Sequence, residues 1–156
     1  MTERRHADSP LVLEDHPFLR GMNDAFVARL RETAYERLFE SGALLVREGD
    51  PADEFLLIFS GKIALEIIHP SRPRTTIQTL GPGEVLGWSW LLPPHRWRLD
   101  ARALKPTRVL GLAASHLRRV LNEQPIDGYH FLLKLLPVIA HRLENTRLQL
   151  LDLNAV

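Results

Sequence analysis

The sequence contains no cysteine among its 156 residues. Disulfide bonds, thiolate-held iron–sulfur clusters and cysteine nucleophiles are therefore excluded. No apolar run approaches the roughly 18 residues that cross a membrane, and the opening MTERRHADSP lacks the apolar stretch of a secretion signal. These absences predict a cytoplasmic protein without a membrane partner.

An excess of charge of one sign is also absent, since the formal net charge is only +1. Such a chain has no broad electrostatic attraction to nucleic acid or to acidic surfaces. The nucleophile elbow G-x-S-x-G, the P-loop and the zinc motif H-E-x-x-H do not occur either. We therefore expect neither an enzyme nor a metal site.

What the chain does contain is the composition of one folded domain, with 45% hydrophobic and 25% charged residues. Residues 1–15 have no periodicity and are predicted to form a loose tail before a domain over 16–156. A short amphipathic helix from Phe18 is predicted from the spacing of Phe18, Met22, Phe26 and Leu30, with Asn23 or Asp24 as a cap for its second part.

Short runs rich in Val, Ile, Leu and Thr follow, separated by Gly, Pro and Asp. The candidate strands are 43–48, 54–60, 62–69, 75–80, 98–104 and 107–112. Many short strands at intervals of roughly ten residues indicate an antiparallel sandwich or barrel.

Helical patterns return near the end of the chain. Ser115 can cap a short helix that runs to Asn122, and Pro125 can open a long helix over about 125–153. Pro137 should kink or reset that helix. The long helix carries a heptad seam, which consists of Leu132, Leu136, Ile139, Leu143, Thr146, Leu150 and Leu153. This seam predicts a homodimer through the part from Leu136 onward; the alternative is packing on the chain's own barrel.

Two segments resemble the cyclic nucleotide-binding domains of the catabolite activator protein-like superfamily: REGDPADEFLLIFSGKIALE (47–66) and LGPGEVLG (80–87). The resemblance covers residues 17–153. It implies an α+β, mainly β, domain: an eight-stranded antiparallel jelly-roll barrel flanked by an N-terminal helix, with a short helix and a long C-terminal dimerisation helix.

In that family a ligand's cyclic phosphate binds backbone N–H groups and an arginine, while a carboxylate binds the ribose. Counting from Gly87, the resemblance places the carboxylate position at Trp88, the arginine position at Trp97 and the following serine or threonine at Arg98. The ligand-binding residues predicted in this way are Gly87, Trp88, Ser89, Arg96, Trp97, Arg98 and Thr146. We predict that cyclic nucleotides bind weakly or not at all. A natural ligand is expected to be less polar than a cyclic nucleotide and to be a small planar or anionic molecule.

Three functions stay open: a stand-alone effector-binding module with an altered pocket, a cyclic AMP or cyclic GMP sensor acting on a protein partner, and an interaction or assembly protein whose tryptophans fill the pocket. No cofactor is predicted beyond the alternative of a cyclic nucleotide. The sequence ends at Val156 without a helix-turn-helix pattern, so we expect no DNA-binding domain and no specific DNA binding. Thr146 either contacts a ligand or fixes the register of paired helices.

Overall fold

The computed structural model describes residues 9–154, and side chains over residues 9–152. Three helices, α1 Asp24–Arg31, α2 Ala114–Glu123 and α3 Pro125–Asn154, surround six β-strands. The strands are β1 Tyr35–Phe39, β2 Leu44–Val46, β3 Glu54–His69, β4 Arg72–Leu80, β5 Val85–Leu86 and β6 Asp100–Ala113. The predicted α+β class with a long C-terminal helix is confirmed.

The sheet is organised by the two long strands β3 and β6, which pair antiparallel from Glu54 opposite Ala113 to Glu66 opposite Asp100. β5 and β1 flank one half of this pair, and β4 and β2 flank the other half. The result is a jelly-roll-like arrangement of two four-stranded halves that share their central strands.

The described chain has six strands, so the eight-stranded count of the sequence analysis is not confirmed. The predicted strands 54–60 and 62–69 form one strand, β3, because β6 stays paired across the junction between them. The register shifts around Ser60–Gly61–Lys62, where the strand bends. Gly61 has φ +106°, and a Cβ there would overlap Thr107, so only glycine lets the two strands approach this closely.

The predicted N-terminal helix is correct only in its second part, α1, because Phe18 lies in a separate 3-10 turn, Pro17–Leu19, and Met22 precedes α1. Asn23 caps α1, since its side-chain oxygen accepts hydrogen bonds from the amides of Ala25 and Phe26. Residues 1–8 lie outside the described residues, whereas Leu13–Asp15 form a short 3-10 turn in which Leu13 is buried. Leu13 thus packs on the core, and the boundary of the loose tail stays a prediction.

The C-terminal helices differ from the prediction in two details. Ser115 lies inside α2, which begins at Ala114 without a side-chain cap. α3 continues through Pro137 as one helix. Its inner face packs through Phe131, which lies edge-to-face with Phe18, Phe26, Phe55 and Trp90 at centroid distances of 5.2, 6.2, 5.7 and 6.0 Å. This aromatic cluster joins α3 to the sheet beside the predicted ligand site.

Candidate ligand-binding site

The loop between β5 and β6 holds the predicted ligand site, and its course is set at Gly87. β5 pairs with β3 through Leu86 opposite Leu56, so Gly87 leaves the sheet directly over the core. Gly87 has φ +81°, and a Cβ at this position would come within 2.5 Å of the Trp97 indole. Glycine therefore serves both the turn and the close approach of the ring.

Trp97 is a core residue with only 5% of its surface exposed. Its backbone is fixed by two hydrogen bonds to the loop after β2: its N–H donates to the Asp50 carbonyl at 2.9 Å, and its carbonyl accepts from the Gly49 N–H at 2.8 Å. The resemblance predicted that this indole takes the place of a ligand-binding arginine. It lies instead beneath the Gly87 turn, where it offers almost no surface to a ligand.

Trp90, which the sequence analysis did not select, is fully buried in the same loop. Its Nε1–H donates to the Gly87 carbonyl at 3.2 Å, and its carbonyl accepts from the Arg118 guanidinium of α2 at 2.5 Å. Its ring contacts Phe131 of α3 within the aromatic cluster. Trp90 thus connects the Gly87 turn to both C-terminal helices.

Trp88 lies at the boundary between the core and the space under α3. It is partly buried, and the guanidinium carbon of Arg142 stands 4.7 Å from its ring centroid, which is a cation–π contact. Arg142 is itself only 6% exposed. The indole and the guanidinium therefore form a cation–π pair between the loop and α3.

Arg142 has few partners for so deeply buried a charge. Its Nε donates one long hydrogen bond of 3.4 Å to Oε1 of Gln78 on β4, while its Nη2 has no hydrogen-bond partner among the described residues. Burial lowers the pKa of the Arg142 guanidinium to about 10, and the Glu84 carboxylate offsets part of that effect. The side chain therefore stays cationic near neutral pH.

Two adjoining cavities of about 460 and 400 Å³ open between α3 and the sheet. Arg142 lines neither of them, but its hydrogen-bond partner Gln78 lines both. Both are lined by Gln78, Glu84 and His141. The smaller cavity is mostly apolar, and its apolar lining is formed by Phe18, Leu80, Val85, Pro137 and Val138. The smaller cavity can hold an apolar group, and Gln78 alone of its lining residues is bonded to the buried Arg142.

The other predicted loop residues are not gathered around one point. Arg96 is exposed and donates from Nη1 to the Gly49 carbonyl at 2.8 Å, so it fixes the loop after β2. Arg98 is exposed, whereas Ser89 is buried with 7% exposure. The structure therefore brings together Gly87 and Trp97, and it pairs Trp88 with Arg142.

Thr146 lies one helical turn after Arg142 and donates its hydroxyl proton to the Arg142 carbonyl at 2.9 Å. It lines a separate cavity of about 360 Å³ between α3 and the β3–β4 hairpin, with residues such as Ile67 and Leu150. The ligand role of Thr146 stays a prediction, as does its role in setting helix register.

The predicted seam is largely uncovered by the chain's own sheet. Ile139 and Thr146 are half-buried, and the side chain of Leu153 lies outside the described residues. The exposed members are Leu132, Leu136, Leu143 and Leu150. The inward face of α3 instead carries Phe131, Leu135 and Arg142.

Sequence reasoning missed Arg142 because an arginine in a helical heptad usually lies on a solvated face. A weak signal was present: the inward residues Phe131, Leu135 and Val138 continue to position 142 at helical spacing. Trp90 could have been found by alternation, since in GWSWLL the two tryptophans are two residues apart within an apolar run. Gln78 gave no signal because only folding brings β4 under α3.

No helix in the described part of the chain is long and apolar enough to cross a membrane. Among known proteins, a cyclic AMP receptor protein of Thermus thermophilus is 27% identical over 131 residues, which are 84% of this chain and 55% of that protein. A CRP-like cAMP-activated global transcriptional regulator of Mycobacterium tuberculosis is 25% identical over 142 residues, 91% of this chain and 62% of that protein. The chain thus spans less than two thirds of the length of either relative.

A crystal structure of a cyclic nucleotide-binding domain from Methylobacillus flagellatus shares the fold, with a TM-score of 0.76 at 22% identity over 89% of this chain and 82% of that chain. The family model for the cyclic nucleotide-binding domain matches residues 36–124, which is more than half of the chain. This match includes every strand of the sheet except the first residue of β1. The chain therefore belongs to the cyclic nucleotide-binding domain family.

Proposed function

We propose that this domain is a regulatory, effector-binding module whose pocket does not recognise cyclic AMP or cyclic GMP in the family's usual way. The effector is a molecule of other chemistry, and the module works as a homodimer through α3. The observation that carries the proposal is the Trp88–Arg142 pair, which places an indole and a helix cation where the family resemblance expects a ribose-binding carboxylate.

The chemistry of Trp88 supports a change of ligand. A carboxylate accepts hydrogen bonds from ribose hydroxyls, whereas an indole has one N–H donor and no acceptor. An arginine stacked on the ring occupies one of its faces at 4.7 Å. A nucleotide that entered here would lose its hydroxyl partner and would have to displace the guanidinium.

Trp97 supports the same conclusion at the position where the resemblance expects the phosphate-binding arginine. An indole provides no positive charge, and its burial under Gly87 keeps it from a ligand. The neighbouring arginines do not take its place: Arg96 is bonded to Gly49, and Arg98 faces solvent. Recognition of a cyclic phosphate therefore lacks its main charge-assisted bond.

Pairing of two chains through α3 is supported by the exposed leucines of the seam. Leu136, Leu143 and Leu150 are 56%, 70% and 56% exposed and recur every seven residues. A contiguous apolar stripe of this kind is typical of a helix that pairs with a copy of itself.

One observation favours a second candidate function, a module that binds no small molecule and acts only through protein contacts. Trp90 and Trp97 fill the space around Gly87, so the loop is stable without a ligand in that place. In this alternative the Trp88–Arg142 pair closes the remaining space and locks α3 onto the sheet.

The test is calorimetric titration of the purified protein with cyclic AMP and with cyclic GMP. We expect dissociation constants weaker than about 100 µM, since the site lacks two charge-assisted contacts worth roughly 1.5–3 kcal/mol each. Low-micromolar binding of either nucleotide would contradict the altered pocket and restore the family's ordinary function.

A further inference from the structure

We propose that Arg142 is the anion-binding group of this pocket and that its ligand is an organic monocarboxylate with a planar apolar body. The proposal rests on the proposed function and deepens it by naming the ligand class. It moves the anion contact from the loop between β5 and β6 to the inward face of α3.

Most of the hydrogen-bond donors of the buried Arg142 have no partner among the described residues. A guanidinium has five N–H donors, and this one makes a single 3.4 Å hydrogen bond through Nε. Its Nη2 is buried without a partner among the described residues. A buried charge is normally paired and hydrogen-bonded, because desolvation is otherwise costly. An anion that pairs with Nη2 would relieve that cost.

The described chain supplies no carboxylate that is hydrogen-bonded to the Arg142 guanidinium. Glu84 acts on Arg142 only through its charge, since its Oε2 accepts a hydrogen bond from the Gly81 N–H at 2.6 Å. Glu84 is exposed to solvent. The partner of the guanidinium is therefore expected to come from outside the described chain.

The surroundings of the Arg142 guanidinium favour a carboxylate over a phosphate dianion. The cation–π contact with Trp88 uses no N–H group of the guanidinium, and the fork of N–H groups of a guanidinium matches a carboxylate in a bidentate arrangement. Glu84 lines both neighbouring cavities and repels additional negative charge. A monoanion is thus preferred over a phosphate dianion.

The smaller cavity can take the apolar part of the ligand. The smaller cavity, of about 400 Å³, is lined by apolar side chains that include Phe18, Val85 and Val138. Gln78 lines this cavity and is also the hydrogen-bond partner of Arg142. Because that bond is long, a carboxylate can displace the Gln78 amide and reach the guanidinium while its ring stays in the apolar cavity.

The experiment uses 1-naphthoate and benzoate as probes, with 1-naphthamide as the neutral match and phenyl phosphate as the dianion. Calorimetry on the full chain should show 1-naphthoate binding at least about tenfold more tightly than 1-naphthamide, because charge-assisted pairing is worth roughly 1.5–3 kcal/mol. Benzoate should bind more tightly than phenyl phosphate, because Glu84 repels the second negative charge. Equal binding of the acid and its amide would overturn the proposal. So would the absence of carboxylate binding at about 1 mM, because one ionic contact of roughly 1.5–3 kcal/mol together with burial of the apolar ring should exceed the roughly 4 kcal/mol that this dissociation constant represents.

Arg142→Gln should weaken 1-naphthoate binding at least about tenfold, because it removes the cation and its fork. The matched control is Arg147→Gln, since Arg147 is an exposed arginine of the same helix whose ion-pair partner among the described residues is Glu144, at 3.8 Å. This control should leave the affinity unchanged. Unchanged binding by Arg142→Gln would assign the carboxylate to another cation.

Should Arg142→Gln fail to fold, Arg142→Lys keeps the charge and loses the planar fork, and it should bind 1-naphthoate more weakly than the wild-type chain does. The acid–amide comparison on the wild-type chain decides the role of charge in either case. Binding of cyclic AMP without binding of any carboxylate would contradict the proposed function itself. Binding of neither would leave the altered loop standing and refute only the role of Arg142.

Discussion

The indole of Trp97 lies within 2.5 Å of the place that a Cβ would occupy at Gly87. These two residues are ten positions apart and close the loop between β5 and β6 upon itself. The carbonyl of Gly87 is also the acceptor for Nε1–H of Trp90. The turn that would face a ligand in this family is therefore supported from beneath by two buried indoles.

We expect Gly87→Ala to lower the free energy of unfolding by about 2–4 kcal/mol, since it combines a strained positive φ with overpacking against the ring. Gly49→Ala is the matched control, because Gly49 has φ +89° with nothing within 4 Å of its Cβ position. The control should lose only about 1–2 kcal/mol. Urea denaturation measures both, and equal losses would mean that Trp97 yields without cost.

Trp97→Arg should be far more damaging than Trp88→Glu. The first places a charge in the core and removes a buried ring, which costs about 3–5 kcal/mol. The second puts a carboxylate where the ring faced Arg142, so the loss should stay below about 2 kcal/mol. Chemical denaturation compares the two variants, and a Trp97→Arg protein as stable as Trp88→Glu would show that the indole is dispensable to the core.

Replacing both Leu143 and Leu150 by Glu should convert a dimer into a folded monomer, because both side chains are exposed on the single chain. Light scattering should then report half the mass, with an unchanged circular dichroism spectrum. Leu148→Glu is the control: Leu148 is also exposed but lies about 160° around the helix from Leu150. An unchanged mass for the double variant would remove the seam from any interface.

Stability should fall on acidification because of His16, which is buried and neutral. Its Nδ1 accepts from the Phe18 N–H at 3.2 Å, so Nε2 carries the proton and donates to the Ile58 carbonyl at 2.9 Å. Burial lowers the pKa of His16 below its usual 6.5. Below pH 6.5 the His16 side chain therefore binds a proton in the unfolded chain but not in the folded chain. The free energy of unfolding falls with pH until the pH reaches the lowered pKa of His16 in the folded chain.

This loss amounts to at most about 1.4 kcal/mol per pH unit for one group. Urea denaturation at about pH 7.5 and about pH 5 should show it in the wild-type chain, and His16→Gln should reduce the difference between the two pH values. Gln is chosen because its amide can still donate to the Ile58 carbonyl. An identical pH dependence in the variant would show that His16 does not cause the loss.

Local sequence patterns determined much of this protein. Most strand runs, the Asn23 cap and the long helix after Pro125 depend on neighbouring residues, so they could be predicted from spacing and composition, whereas β1 and the two-residue β5 were missed. The words around Gly49 and Gly87 carried the family resemblance, which the comparison with the family model confirms. The exposed leucines of α3 also followed from their heptad spacing.

Tertiary structure alone decided which side chains meet. Trp88 and Trp97 read alike in the sequence, yet one contacts Arg142 and the other lies beneath Gly87. Whether strands 54–60 and 62–69 were one or two depended on the neighbouring strand β6, which is distant in the sequence and stays paired across their junction. Arg142 became a buried cation only because α3 folds back over β4. The physical reason is common to all three: burial and pairing are set by residues distant in the chain, whose approach no local pattern encodes.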